Sequence, residues 1–221
     1  MNKQNYVAVI PAWNEEPTIG LVLDVLVKLG IDFLVVDDGS TDATVEIARK
    51  FGAKIVQHKK NQGYESSLST GVQKASEEGY KYAITCDADG QIDPRDVIKF
   101  VEIAEKDKAD VVVGIRSYRN RFCERFLCYY GKSRFKINDP LCGIKLYNLE
   151  KAKDYFPFDS KKLVGMELAL KMSDGGERIS QADIKINMRR GESRYGASLS
   201  GELKILKSLL KTISIFGLTK K

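Results

Sequence analysis

The sequence predicts an α/β protein built on a doubly wound, mostly parallel sheet, with helices on both faces and an amphipathic helix at the C-terminal end. In the first half, short apolar runs rich in Val and Ile alternate with segments whose apolar residues recur at helical spacing. Continuous apolar strands separated by helices are typical of a parallel sheet that is buried on both faces. The 221 residues, 43% of them hydrophobic, are enough to bury one full core, so we expect a single domain over 1–221.

The predicted elements follow one another regularly up to residue 114 and less regularly after it. Strands are predicted at 6–10, 33–36, 54–57, 82–86 and 110–114, and helices at 18–29, 42–51, 66–78 and 94–106. Pro11 closes the first strand, Pro17 suits the first turn of the first helix, and Gly79 ends the third helix. Later patterns predict a strand at 143–147, a helix at 164–172, an edge strand at 179–186 and a last helix at 199–216.

Composition excludes several classes of protein. The longest apolar runs fall well short of the ~18 residues that a transmembrane helix needs, and residues 1–5 lack the apolar stretch of a secretory signal. The four cysteines form no Cys-x-x-Cys pair, and the single histidine, His58, lies elsewhere in the chain, which argues against a zinc site. We therefore expect a cytoplasmic protein with reduced thiols.

The net charge of +6 is concentrated in one segment. Residues 116–136 contain seven basic residues, one acidic residue and six aromatic residues, so the rest of the chain is neutral overall. A basic aromatic patch of this kind suits a nucleic acid, an anionic lipid headgroup or a phosphorylated substrate, and charge alone does not choose among them.

Three acidic turns follow predicted strands, at 14–16, 37–40 and 87–91. Ligands of open α/β sheets bind beyond the carboxyl ends of the strands, where these turns would cluster and repel one another unless a cation lies among them. Asp87 and Asp89, two positions apart, can aim two hard oxygen ligands at one point, as Mg²⁺ or Mn²⁺ requires. Because neither a GxxxxGKS loop nor a GxGxxG turn is present, a nucleoside diphosphate held through a metal is the remaining interpretation. The same acidic turns would repel nucleic acid, so no nucleic-acid partner is expected.

These segments resemble the motifs of family 2 glycosyltransferases with the GT-A fold. The resemblance rests on IPAWNEE at 10–16, VVDDGSTD at 35–42 and DADGQ at 87–91, which match in order and spacing over residues 5–115. The remainder is similar to the dolichyl-phosphate mannose synthase and polyprenyl-phosphate sugar transferase branch, through GIR at 114–116, DPLCG at 139–143 and GESR at 191–194. The resemblance implies a nucleotide-sugar-binding half at 1–115, an acceptor half at 116–198 and a C-terminal amphipathic helix at 199–221.

The same resemblance implies a role for each matching residue. It implies a nucleobase and ribose pocket lined by Pro11, Ala12, Trp13 and Glu15, where Trp13 replaces the usual Tyr. Asp38, with Gly39 beside it, would bind the base of a UDP- or GDP-linked sugar. Mg²⁺ or Mn²⁺ would be held by Asp87, Asp89 and Gln91, and through it the diphosphate. Arg116 would hold an acceptor phosphate, aided by Arg194 and by Arg189 or Arg190, and Asp139 would lie near the sugar or the metal.

The family pattern is not followed everywhere. Glu65 replaces a glycine of the third loop, so the donor pocket is expected to differ, and Met188 stands where close relatives place an arginine. Many family members carry a Glu-Asp pair as general base, whereas the corresponding stretch here has only Glu167. A phosphate acceptor would already be ionised at pH 7 and would need cations instead of a base.

Two acceptors therefore remain open. The main hypothesis is an inverting, metal-dependent transfer of a hexose to polyprenyl phosphate. The alternative acceptor is a saccharide hydroxyl in O-antigen, capsule or glycoprotein glycan assembly, and it would need Glu167 or Asp139 as base. The state of association is also open, and a homodimer is one of the alternatives.

The last helix is predicted to be amphipathic. Lys204, Lys207 and Lys211 form a cationic stripe. The opposing apolar face is expected to contain Leu203, Leu206, Leu209, Leu210, Ile213 and Phe216. This apolar face could either pack on the domain itself or lie on the anionic inner surface of a membrane.

Overall fold

The computed structural model describes residues 5–117, 122–158, 163–187 and 199–219. The strands are β1 (Tyr6–Ala12), β2 (Phe33–Asp37), β3 (Lys54–Gln57), β4 (Tyr82–Thr85), β5 (Val111–Arg116), β6 (Lys145–Asn148) and β7 (Ile179–Ile184). The helices are α1 (Ile19–Lys28), α2 (Thr44–Lys50), α3 (Tyr64–Glu77), α4 (Asp96–Asp107), α5 (Phe122–Phe135), α6 (Leu149–Ala152), α7 (Glu167–Asp174) and α8 (Leu199–Phe216). Most predicted elements are confirmed within a few residues.

The seven strands form one mixed sheet in the order β3-β2-β1-β4-β6-β5-β7. Strands β1, β2, β3 and β4 pair in parallel, as does β5 with β7, and β7 lies at the sheet edge as predicted. β6 is inserted antiparallel between β4 and β5, where Ile84 and Val112 both lie opposite Leu146. The mostly parallel, doubly wound prediction is therefore confirmed, with β6 as the antiparallel exception.

Helices cover both faces of the sheet and give the protein two apolar cores. One core packs α1, α2 and α4 on one face, with Leu23 and Phe100 fully buried. The other core packs α3, α5, α7 and α8 on the opposite face, with Phe135 and Leu170 buried. The side chains of every strand alternate between these two cores, as expected for a sheet buried on both faces.

The basic aromatic segment contains a helix that the sequence did not predict. α5 buries Leu127, Tyr130 and Phe135 against the second core. Its other aromatic residues, Phe122 and Phe126 among them, are exposed, so apolar residues occur all round the helix and its periodicity is weak.

The prediction for the packed face of α8 is wrong in part. Ile205 and Leu209 are buried, and Ile213 and Phe216 pack against the same core as expected. Leu203, Leu206 and Leu210 are exposed instead. The remaining buried positions of the packed face are Gly201 and two small polar residues, Ser208 and Thr212, and a face of this kind is not identified by hydrophobicity.

Within the described ranges, the helices are all too short or too polar to cross a membrane.

Candidate active site

A cavity of about 430 Å³ opens beyond the carboxyl ends of β1, β2 and β4. Seven of the residues that the sequence predicted for the donor site line it: Pro11, Ala12, Trp13, Asp38, Asp87, Asp89 and Gln91. The second half of the chain adds Leu141, Gly143, Val164 and Lys204 to its wall. The fold therefore brings the nucleotide motifs of the first half together at one end of the sheet, where open α/β sheets bind ligands.

The turns after β1 and β2 are tied to each other. The Asn14 N–H donates to Ser40 Oγ at 2.9 Å, and the Thr41 N–H donates to Asn14 Oδ1 at 2.9 Å. Trp13 projects from this pair of turns with 42% of its surface exposed and forms part of the cavity wall. Its neighbour Glu15 is buried at the start of α1, where its carboxylate accepts a hydrogen bond from Thr18 Oγ1 at 2.9 Å.

Asp38 is nearly inaccessible, and both of its carboxylate oxygens accept hydrogen bonds. Oδ1 accepts the Gln62 N–H and lies 2.8 Å from His58 Nδ1, and Oδ2 accepts the Gly63 N–H at 2.8 Å. The side chain therefore holds the loop before α3 against the end of β2. Gly39 follows with φ +75, and a Cβ there would lie 3.0 Å from the backbone of Lys60, so the turn requires glycine.

The acidic pair after β4 is positioned by its own turn and by two other segments. The Tyr64 hydroxyl donates to Asp87 Oδ1 at 2.8 Å, and the Gln91 N–H donates to Asp89 Oδ1 at 3.0 Å. Gly143 makes room for Asp87, because a Cβ at Gly143 would lie 2.0 Å from Asp87 Oδ2. This cradle and the two hard oxygen donors fit a Mg²⁺ or Mn²⁺ ion that keeps open positions for phosphate oxygens. Among the described residues no group of three His, Cys, Asp or Glu side chains forms a complete metal site.

The opposite wall of the cavity is built around a loop that precedes α7. The Glu65 carboxylate accepts the Val164 N–H at 2.6 Å, and Val164 has a left-handed φ of 55. Lys145 of β6 donates from Nζ to the carbonyls of Cys142 and Gly165. Complete burial lowers the pKa of Lys145, and the two carbonyl oxygens accept hydrogen bonds from its amino group. Tyr64, His58 and Lys145 were missed as site residues, because their partners lie far from them in the sequence, whereas Glu65 was expected to alter the donor pocket.

The four cysteines form no disulfide. Burial raises the pKa of the Cys142 thiol to about 12, so it is protonated at neutral pH. Cys142 lies between Asp139 and Gly143, directly beside the cavity wall, and it serves as a small apolar side chain there.

Arg116 and Asp139 are brought together in a two-pronged ion pair. Arg116 Nε and Nη2 donate to the two Asp139 oxygens at 2.8 and 2.9 Å, and Asp139 is completely buried. Burial alone would lower the pKa of Arg116, but the hydrogen bonds and charge of Asp139 raise it above its ordinary value. Arg116 Nη2 also lies 4.0 Å from Glu124 Oε2.

Glu167 begins α7 and is almost fully buried. Its carboxylate pairs with Lys171 Nζ at 2.6 Å, one helical turn further on. Glu167, Asp139 and Arg116 thus lie outside the cavity lining of the described residues. Arg189, Arg190 and Arg194 lie outside the described residues, so their predicted role stays a prediction.

Comparison with known proteins identifies the family of the chain. The family described as Glycosyl transferase family 2 matches residues 7–148. An uncharacterised protein of Methanocaldococcus jannaschii is 31% identical over 94% of this chain and 98% of its own length. A UDP-N-acetylglucosamine–dolichyl-phosphate N-acetylglucosaminyltransferase of Methanococcus voltae is 34% identical over 49% of this chain and 50% of its own length.

Solved structures share the fold. Glucosyl-3-phosphoglycerate synthase from Mycobacterium tuberculosis, in complex with Mn²⁺, UDP-glucose and phosphoglyceric acid, superposes with a TM-score of 0.77. The match has 20% sequence identity and covers 96% of this chain and 80% of that one. The fold and the acidic cavity define an α/β enzyme of the GT-A class. The chain belongs to glycosyl transferase family 2, and the predicted family is confirmed.

Proposed function

We propose that this glycosyltransferase moves a hexose from a nucleoside-diphosphate sugar to a polyprenyl phosphate, with a divalent metal and with inversion at the anomeric carbon. The observation that carries the proposal is the cavity itself. It places a flat aromatic surface, Trp13, and two carboxylates suited to a metal, Asp87 and Asp89, around one space. A nucleoside diphosphate has the matching parts, a planar base and a charged diphosphate.

The donor is assigned to the first-half side of the cavity. Trp13 supplies a surface on which a nucleobase stacks, and Pro11 and Ala12 form the floor beside it. The Asp38 oxygens already hold the loop at Gln62 and Gly63, and Oδ2, with one hydrogen bond from the described residues, has a lone pair for the base. Asp38 therefore both shapes this pocket and contacts the nucleotide.

Asp87 and Asp89, with Gln91, are the residues that would hold Mg²⁺ or Mn²⁺. When bound, the metal stabilises the negative charge that develops on the diphosphate leaving group. Tyr64 and Gly143 keep the Asp87 carboxylate in place for this role. Asp89 is held by the Gln91 N–H.

The burial and ion pairing of the two candidate bases, Asp139 and Glu167, favour a phosphate acceptor. Asp139 is fully buried in its pair with Arg116, and Glu167 is buried in its pair with Lys171. A saccharide hydroxyl would need one of them as general base, whereas a phosphate oxygen is ionised at pH 7. That oxygen forms the new bond to the anomeric carbon as the bond to the diphosphate breaks, so a single displacement inverts the configuration.

The lipid part of the acceptor is supported by the Methanococcus relative, whose name includes a dolichyl-phosphate acceptor. Arg116, with Arg194 and Arg189 or Arg190, supplies the cations for the phosphate in this proposal. An acceptor of this kind resides in a membrane, so the enzyme would work at the cytoplasmic face of a membrane.

Screening nucleotide sugars for diphosphate release tests this function. Each UDP- and GDP-linked sugar is incubated with Mn²⁺ and with a short-chain polyprenyl phosphate, the matching polyprenol, phosphoglyceric acid or a saccharide. The proposal expects release that depends on the polyprenyl phosphate and stops in EDTA. Preferential transfer to an uncharged saccharide would support the hydroxyl acceptor instead.

A further inference from the structure

Two helices of the second core expose apolar side chains instead of burying them. On α8, Leu203, Leu206 and Leu210 follow i, i+3, i+7 spacing and are all exposed, Leu210 by 59%. On α5, Phe122, Phe126 and Tyr129 follow i, i+4, i+7 spacing and are exposed by at least half of their surface. We call these six residues the α5–α8 apolar face. Large exposed apolar side chains in regular array mark an interaction surface.

α5 and α8 are held side by side, so the face is a fixed surface. The Glu202 carboxylate at the start of α8 accepts the N–H groups of Phe122 and Cys123 at the start of α5. At the other ends, Tyr130 and Arg134 donate to the carbonyls of Gly217 and Phe216. The two helices therefore run in the same direction and are joined at both ends.

The exposed charges on these helices are positive. Arg125, Lys132, Lys204, Lys207 and Lys211 are exposed, with the three α8 lysines on the ridge next to the leucines. Of the two acidic residues on these helices, Glu124 is buried beside Arg116, and Glu202 offsets only one of the five positive charges. An apolar ridge flanked by cations fits the interface of an anionic lipid bilayer.

The face also continues to the active site. Lys204 lies in the cavity wall and on α8, one residue from Leu203. A bilayer in contact with α8 would therefore meet the mouth of the cavity, where a lipid-linked substrate would enter.

We infer that the α5–α8 apolar face docks this protein on an anionic membrane surface. This docking rests on the proposed function, because a lipid-linked acceptor requires the enzyme to reach a membrane. It adds the partner, an anionic bilayer, and the surface that contacts it. A second copy of the chain fits the face less well, because a two-fold interface brings the same patch of each subunit together and would oppose like charges.

Vesicle sedimentation tests the docking surface directly. Wild-type protein is mixed with phosphatidylcholine vesicles that contain or lack phosphatidylglycerol. We expect binding only to the anionic vesicles, and strong loss of binding in a Leu206→Ser, Leu210→Ser double variant and in Phe126→Ser. Each of Lys207→Gln and Lys211→Gln should lower vesicle affinity roughly fivefold at low salt.

Leu21→Ser is the matched control. Leu21 is also exposed, by 51%, but it lies on α1 across the sheet, so its loss should leave vesicle binding unchanged. Failure of the wild-type protein to bind anionic vesicles would overturn the inference. So would a loss of vesicle binding in Leu21→Ser as large as that in the face variants. So would a dimer in sedimentation equilibrium that the leucine double variant dissociates.

A transfer assay separates this inference from the proposed function. The face variants should transfer normally to a water-soluble short-chain prenyl phosphate and poorly to a long-chain polyprenyl phosphate in vesicles. Normal vesicle binding without transfer to either acceptor would reject the proposed acceptor and leave the docking surface intact. Equal transfer by wild type and face variants in vesicles would reject the docking surface alone.

Discussion

Asp89 is the residue on which the proposed metal chemistry depends most. Its Oδ1 accepts the Gln91 N–H, and the carboxylate faces the cavity beside Asp87. Asp89→Asn keeps the shape and the possible hydrogen bond but removes a charge, so we expect transfer to be abolished while the thermal unfolding midpoint is nearly unchanged. Asp93→Asn is the control and should stay active, because Asp93 is an acidic residue of the same region that is paired with Arg95. Full activity of Asp89→Asn, or of the wild type in EDTA, would reject the metal assignment.

Asp38 has a structural role in the loop before α3, and we propose that it also binds the nucleotide. Asp38→Ala leaves the partly buried N–H groups of Gln62 and Gly63 without their acceptor, which should cost about 0.5–1.5 kcal/mol of unfolding free energy for each bond. We expect UDP or GDP affinity to fall severalfold or more, because the loop that shapes the base pocket is released and a base contact is lost. Calorimetric titration measures this affinity. Unchanged affinities for both nucleotides would contradict the assignment.

Arg116 is predicted to act on the acceptor and not on the donor. In Arg116→Ala, transfer to polyprenyl phosphate should fall about ten- to a hundredfold, since charge-assisted contacts contribute about 1.5–3 kcal/mol each. Hydrolysis of the nucleotide sugar should persist. Because Asp139 would be left buried without its partner, unfolding must be measured alongside to confirm that the variant is folded. Normal transfer by the folded variant would remove Arg116 from the acceptor site.

The hydrogen bond between α3 and the loop before α7 shapes the cavity. The Glu65 carboxylate accepts the Val164 N–H across 99 positions of sequence, and Val164 lines the cavity. Glu65→Ala should raise the KM for the nucleotide sugar more than it lowers kcat, and should destabilise the fold by about 1 kcal/mol. Glu65→Gln retains an acceptor oxygen and should restore most of the loss. Equal effects of the two substitutions would show that charge, and not this hydrogen bond, is what matters.

The elements also show where sequence-based prediction reaches its limit. β1, β2, β4 and β5 were predictable because each is a largely apolar run that ends at a polar turn, whereas β3 has only two apolar residues, Ile55 and Val56. The acidic turns after β1, β2 and β4 were therefore expected together at the carboxyl ends of the strands. α5 was not, because Leu127 faces the core while Phe126 faces solvent, so its apolar residues show no one-sided pattern. The packed face of α8 was misassigned for a related reason, since Ser208 and Thr212 are buried while Leu206 is exposed.

The candidate site was predictable only as far as its local motifs. Asp87, Asp89 and Asp38 were identified because each lies in a short acidic turn that follows a strand. Tyr64 and Lys145 were not, since their partners, Asp87 and the Gly165 carbonyl, are joined to them only by the folded sheet. Buried pairs such as Arg116 with Asp139 likewise depend on strand and helix positions that spacing does not reveal.

In the molecule as a whole, the two halves of the chain meet at the cavity mouth. The first half supplies the residues proposed to bind the nucleotide and the metal, and the second half supplies α8, whose Lys204 lines the same cavity. The donor would thus bind from the cytoplasm while the acceptor enters from the side of α5 and α8. In this proposal the atom that accepts the hexose is an oxygen of a lipid phosphate.

Mass spectrometry of the purified product shows whether the hexose is attached to a phosphate or to a hydroxyl group. Wild-type protein, Mn²⁺ and the preferred nucleotide sugar are incubated with an equal mixture of a polyprenyl phosphate and its matching polyprenol. We expect one hexose on the polyprenyl phosphate and none on the polyprenol. A hexose attached to the polyprenol, or transfer to an added saccharide while the polyprenyl phosphate stays unmodified, would show that the acceptor is not the lipid phosphate.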